Sequence, residues 1–78
     1  MSAKEMFEEL GFVQLRTDDE EYNEFYTLYA KNFIKIEFSK VCKNYIAWDS
    51  GQMEIVKISF ELHKAIHRQL KELGWIED

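Results

Sequence analysis

Two histidines four residues apart, a single cysteine and two clusters of acids are the side chains of this 78-residue chain that could do chemistry. His63 and His67 have the H-x-x-x-H spacing that turns two rings to one side of a helix, which is half of a zinc site. Zinc takes three or four ligands, and nothing in the sequence places the single thiol, Cys42, near them. Both rings fall on the edge of the neighbouring apolar stripe, where half-buried imidazoles are common. Cys42 would be a nucleophile only with a base at hand and surroundings that lower its pKa. In a short connection beside Val41 it reads instead as a small hydrophobe. Paired carboxylates can act as general acid and base. Here Glu8-Glu9 and Asp18-Asp19-Glu20-Glu21 fall on an exposed helix side and a turn, with nothing apolar around them to raise a pKa. The three glycines are isolated, so there is no phosphate-cradling loop. The sequence predicts no catalytic residue, no metal site and no cofactor, and hence a protein that is not an enzyme.

The elements that position these residues start from the run Ser59 to Trp75, SFELHKAIHRQLKELGW. Leu62, Ile66, Leu70 and Leu73 form one stripe at helical spacing. Ser59 is an N-cap type, and Gly74 suits the left-handed position after the last turn, with Trp75 folding back on it. At the other end, Ser2-Ala-Lys-Glu5 reads as a capping box opening a short helix that carries Met6, Phe7 and Leu10 and stops at Gly11. Between them lie five expected strands: Phe12 to Arg16, Tyr22 to Ala30, Phe33 to Ser39, Tyr45 to Asp49 and Gln52 to Ile58. Thr17 to Glu21 is an acidic turn. A connection at Lys31-Asn32 pairs Tyr29 with Ile34, Thr27 with Ile36 and Phe25 with Phe38. A second hairpin turns at Ser50-Gly51, where Gly51 would supply positive φ, and brings Ile46 and Trp48 to the inner face against Ile55 and Met53. The expected fold is α+β: an antiparallel meander of about five strands with a short N-terminal and a long C-terminal helix on one face. It occupies residues 1–78 as a single domain. Its outer face would show Gln14, Arg16, Tyr26, Leu28, Lys35, Glu37 and Tyr45.

Composition supports a folded domain. Hydrophobic residues make up 46% and charged residues 32%, and twelve aromatics give a large apolar payload for the length. No apolar run approaches the roughly 18 residues of a membrane helix. The first residues lack a signal-peptide core, and a single cysteine allows no internal disulfide, so the expected compartment is the cytoplasm. The net charge of −5 is unevenly placed: residues 1–24 hold eight acids and two bases, residues 25–78 seven acids and eight bases.

Three kinds of interaction follow. Tyr26, Leu28, Lys35, Glu37 and Tyr45 have the mixed aromatic and polar makeup of a protein-binding surface, for a partner protein or a homodimer. Alternatively, the acids Glu8, Glu9, Asp18, Asp19, Glu20 and Glu21 would present a negative patch to a basic nucleic-acid-binding host protein, as an anti-defence inhibitor does. Direct nucleic-acid binding would need Lys35, Lys40, Lys43, Lys57, Lys64, Arg68 and Lys71 to cluster, with Tyr26 or Tyr45 stacking on bases, and the negative total opposes it.

The Glu9-Leu-Gly-Phe12 stop, the aromatic meander and the closing Leu62-to-Trp75 helix together resemble small uncharacterised proteins of phages and prophages in Gram-positive bacteria. The likeness covers most of the chain. It implies no established activity and no catalytic residues. It implies a setting, that of an accessory phage protein in the host cytoplasm, where such proteins often bind one host or phage protein.

Overall fold

Two helices begin and end as their sequences dictate. The computed structural model describes residues 1–51 and 55–77, and its first helix, α1, spans Ala3–Glu9. Ser2 and Glu5 close the capping box, each side chain bonding to the other's backbone N–H. The long helix, Phe60–Glu72, is capped by the Ser59 hydroxyl, which accepts from the Leu62 N–H. Both helices stop in the same way. Gly11 and Gly74 take φ of +91° and +77°, and the aromatic that follows folds back. Phe12 N–H donates to the Phe7 carbonyl and Trp75 N–H to the Leu70 carbonyl, each at 3.0 Å. These are Schellman ends, in which the residue after the glycine packs on the last turn.

Between these helices run β1 (Val13–Leu15), a second helix α2 (Glu20–Phe25), β2 (Tyr26–Lys31), β3 (Ile34–Ser39) and β4 (Asn44–Asp49); the long helix is α3. The sheet is an antiparallel meander in the order β1-β2-β3-β4, so the expected α+β class holds with four strands. Of the expected fifth strand, residues 52–54 lie outside the described residues, and 55–58 form no strand. The expected strand from Tyr22 is helical as far as Phe25. Asp19 caps it, its carboxylate accepting from the N–H groups of Glu21 and Tyr22, and acids in the first turn suit the positive end of a helix.

The β2–β3 turn is Asn32-Phe33, one residue later than expected. Lys31 faces Ile34, Tyr29 faces Ile36 and Thr27 faces Phe38. Asn32 takes the left-handed φ of 54° that asparagine tolerates better than most residues. The slip from the expected pairing is two residues, so the faces keep their identity. Gly51 is not at positive φ. It is needed for space, because a Cβ there would lie 2.6 Å from the Phe33 ring.

Phe7, Phe12, Tyr29, Ile36, Phe38, Leu62, Ala65 and Ile66 form the core between the sheet and the α1–α3 pair. The Phe7 ring stacks on Tyr29 at 3.9 Å and 14° and meets Phe12 and Phe38 edge-on. The Tyr29 hydroxyl donates to Gln69 Oε1 of α3 at 2.6 Å, in the interior. Gln69 is therefore a buried part of α3, while Leu70 and Leu73 lie at its half-covered margin. Burial first, then the charges of Glu72 and Glu8, pushes the Tyr29 phenol up to about 12.

Two outcomes are expected. Phe7→Ala should cost about 3–5 kcal/mol in urea unfolding, a large share of the stability of a domain of this size. Tyr29→Phe strands the Gln69 carbonyl and should cost about 1–3 kcal/mol. A phenol whose pKa is raised on folding gives its full stabilisation below its ordinary value, near 10, and loses it as pH rises toward about 12. Tyrosinate absorbance in an alkaline titration should accordingly lose one of its late-titrating phenols, the one near 12, in Tyr29→Phe.

Candidate functional site

With α1 and α3 on one side, the sheet's other face is the surface that no long helix covers. Side chains alternate along each strand, and the register arranges this face in rows. Val13, Ala30, Lys35 and Trp48 form one row, and Leu15, Leu28, Glu37 and Ile46 the next. Tyr26, Ser39 and Asn44 form a third. The middle of the face is polar, with Lys35 and Glu37 half-buried side by side on β3, and the flanks are apolar. Val13 and Ile46 are each 54% exposed and Leu15 is 38% exposed.

Four of the five residues expected on this surface are there: Tyr26, Leu28, Lys35 and Glu37. Tyr45 is not. It stands opposite Phe38 on the helix side, with the two rings stacked at 5.3 Å, and it borders a recess with Leu70 and Trp75. Gln14 is likewise on the helix side, opposite Tyr29. Val13, Leu15, Ile46 and Trp48, expected inside, take their places on the outer face. The signal for β1 was present in the sequence. Phe12 follows the capping glycine and must fold inward, which puts Val13 outward and Gln14 inward.

α2 lies over one corner of the outer face. Tyr22 stacks on Tyr26 at 4.7 Å and 17°, and its hydroxyl donates to Glu37 Oε2 in a short hydrogen bond. Burial, then that bond to the carboxylate, raises the Tyr22 phenol well above its ordinary range. The bond gives the half-buried Glu37 a partner and fixes where α2 sits. From α2 the Asn23 side-chain amide reaches back to Thr17, accepting from its N–H and donating to its carbonyl, closing the loop from β1.

The residues able to do chemistry are dispersed. His63 and His67 are both exposed, with ring centroids 6.4 Å apart. They border a shallow recess with Met6, Lys64, Arg68 and Lys71. Cys42 is exposed in the β3–β4 turn. Among the described residues no three of His, Cys, Asp or Glu come together as metal ligands. The acids are divided. Glu8 and Glu9 belong to α1 on the helix side, where Glu8 lies 3.9 Å from Lys4. Asp18, Asp19, Glu20 and Glu21 open α2, with Asp19 engaged as its cap and Glu20 3.8 Å from Arg16. The lysines divide too: Lys35 is on the outer face, Lys40 and Lys43 are in the β3–β4 turn, and Lys64, Arg68 and Lys71 are on α3. Arg68 and Lys64 are paired with Glu72 and Glu61. Among the described residues no helix is long and apolar enough to cross a membrane. No protein-family model, curated protein or solved structure shows significant similarity to this chain.

Tyr22→Phe removes one bond to a carboxylate and should cost about 1.5–3 kcal/mol at most, discounted because the site is half-exposed. Hydrogen exchange should speed up in residues 20–25 while the β2–β3 amides stay protected. Loss of protection across the whole sheet would mean that α2 supports more of the fold than its corner.

Proposed function

We propose that this chain is a non-enzymatic binding protein whose outer sheet face, centred on Tyr26, Leu28, Lys35 and Glu37 and flanked by Val13, Leu15, Ile46 and Trp48, takes up a protein partner. The setting we propose is that of a phage or prophage accessory factor in the cytoplasm of its host. The observation that carries the binding function is the apolar margin of that face: Val13, Leu15 and Ile46 stay solvent-exposed although the core is complete without them. Apolar side chains that add nothing to the monomer's interior but lie together around a charged centre are what a partner surface offers. The polar centre adds specificity, since a partner must satisfy Lys35 and the remaining lone pairs of Glu37. The inhibitor alternative has less support, because its acids are divided between α1 and α2 on opposite sides of the sheet.

The test is affinity capture from host lysate, then titration of the captured protein against variants. Tyr26→Ser and Leu15→Lys should each weaken binding by roughly 10- to 100-fold, the range of a well-placed contact, with the circular dichroism spectrum unchanged. Equal capture by the wild type and by the double variant would refute the assignment.

A further inference from the structure

We propose that the recess between α1 and α3 is a copper(I) site, with the imidazoles of His63 and His67 and the thioether of Met6 as its three ligands. In the sequence the histidine pair is half of a site, with no third donor beside it. The fold supplies one. α1 lies along α3, tied to it by the Ala3 N–H, which donates to Glu72 Oε2 at 2.7 Å. That packing brings Met6 to the rim of the recess that His63 and His67 border.

The two rings are placed for a shared ion. His63 and His67 stand one turn apart on α3, both exposed, with ring centroids 6.4 Å apart and planes inclined by 30°. A metal held at about 2.0 Å by one nitrogen of each ring sets the ring centres roughly 5–6 Å apart. Exposed side chains turn freely enough to close that difference while the helix backbone stays as it is. Met6 is half-buried, packed against the core from α1. Its chain is unbranched and rotates about three bonds, so the sulfur adjusts to an ion between the rings.

The donor set selects the ion. Imidazole serves zinc, nickel and copper alike, whereas a thioether is a soft ligand that favours copper(I). Zinc draws on thiolate, imidazole and carboxylate, and among the described residues no third ligand of those kinds joins the histidines. Charge points the same way. Lys64, Arg68 and Lys71 also line the recess. Glu61 and Glu72 offset Lys64 and Arg68, each at 3.2 Å, and on α1 Glu8 offsets Lys4 at 3.9 Å. Against nearby ammonium and guanidinium groups a monovalent ion is repelled half as strongly as a divalent one. The site belongs to the helix side of the sheet and shares no residue with the outer face.

The test is a titration of the Cys42→Ser chain with copper(I), kept reduced by ascorbate under argon, against the chromophoric chelator bicinchoninate. This background removes the exposed thiol, itself a soft ligand. A 1:1 complex with a dissociation constant below about 1 μM is expected. His63→Ala and His67→Ala should each weaken it at least about 100-fold, more than the loss of a ligand's hydrogen-bond partner costs. Met6→Leu conserves volume. It should weaken copper(I) about tenfold and leave nickel(II), held by the imidazoles alone, unchanged. X-ray absorption at the copper edge should show one sulfur beside two nitrogens, and Met6→Leu should remove the sulfur. No complex tighter than about 1 μM overturns the site. Copper(I) affinity indifferent to Met6→Leu, or a copper spectrum without sulfur, overturns it equally. Because the spectrum with Met6 in place reports the thioether directly, it decides the matter even if Met6→Leu fails to fold.

Discussion

The stack of Phe7 on Tyr29, continued through the Tyr29 hydroxyl to Gln69, holds three elements together at one point. Phe7 belongs to α1, Tyr29 to β2 and Gln69 to α3. Each partner is buried, so the ring contact is desolvated and the hydrogen bond has no water to compete with it. A chain of 78 residues buries too little surface for many redundant contacts. The other ties between the helices converge on the same arrangement. Glu72 of α3 accepts from the Ala3 N–H at 2.7 Å, placing a carboxylate at the positive start of α1. Lys31 at the end of β2 donates to the Leu10 carbonyl at 2.8 Å, where α1 leaves a carbonyl without a helical partner. α1 is thus held at both ends by side chains from α3 and the sheet, and at its middle by Phe7.

That tie commits both capped helices to one side of the sheet, and the rest of the molecule's character follows from it. A four-stranded sheet has two faces, and the α1–α3 pair fills only one. Among the described residues the other carries α2, six residues long and with no buried side chain, which covers a corner through Tyr22. Val13, Leu15 and Ile46 of the outer rows are therefore exposed, while the small Ala30 and Ser39 between them are buried. The exposure is a consequence of sheet parity: once Phe12, Tyr29, Ile36 and Phe38 face inward, Val13, Leu28 and Ile46 face outward.

The helical half of the fold was legible because its signals are local. Ser2 with Glu5, Ser59, and the repeated Glu-Leu-Gly-aromatic stops fix helix ends through bonds spanning three to five residues. The β2 and β3 faces were legible because a two-residue slip preserves parity. What was misread depended on distant partners. Ile46 and Trp48 read as core because a hairpin about Ser50-Gly51 would set them against Ile55 and Met53. Register decides otherwise: Ser39 faces Asn44 across the β3–β4 turn, so Tyr45 and Ala47 turn inward. α2 was hidden because Tyr22 and Phe25 are strand formers by type, while its cap, Asp19, sat in a run of acids that reads as a turn. Of the expected surface, Tyr26, Leu28, Lys35 and Glu37 came from strands whose parity was right, and Tyr45 from the strand whose parity was wrong.

Glu37 shows why the outer face is better read as a whole than residue by residue. A carboxylate at the centre of a sheet face, flanked in its row by Leu28 and Ile46, is costly to desolvate unless hydrogen-bonded. Tyr22 supplies a bond from an element outside the sheet, and beside it the Lys35 ammonium donates to Ser50 Oγ at 3.4 Å. Any surface that buries Leu15, Leu28 and Ile46 must also meet these two charges, so apolar area alone does not suffice for binding. A partner lacking groups to satisfy Lys35 and Glu37 would bury them at a cost on the order of several kcal/mol, comparable to the gain from the apolar margin.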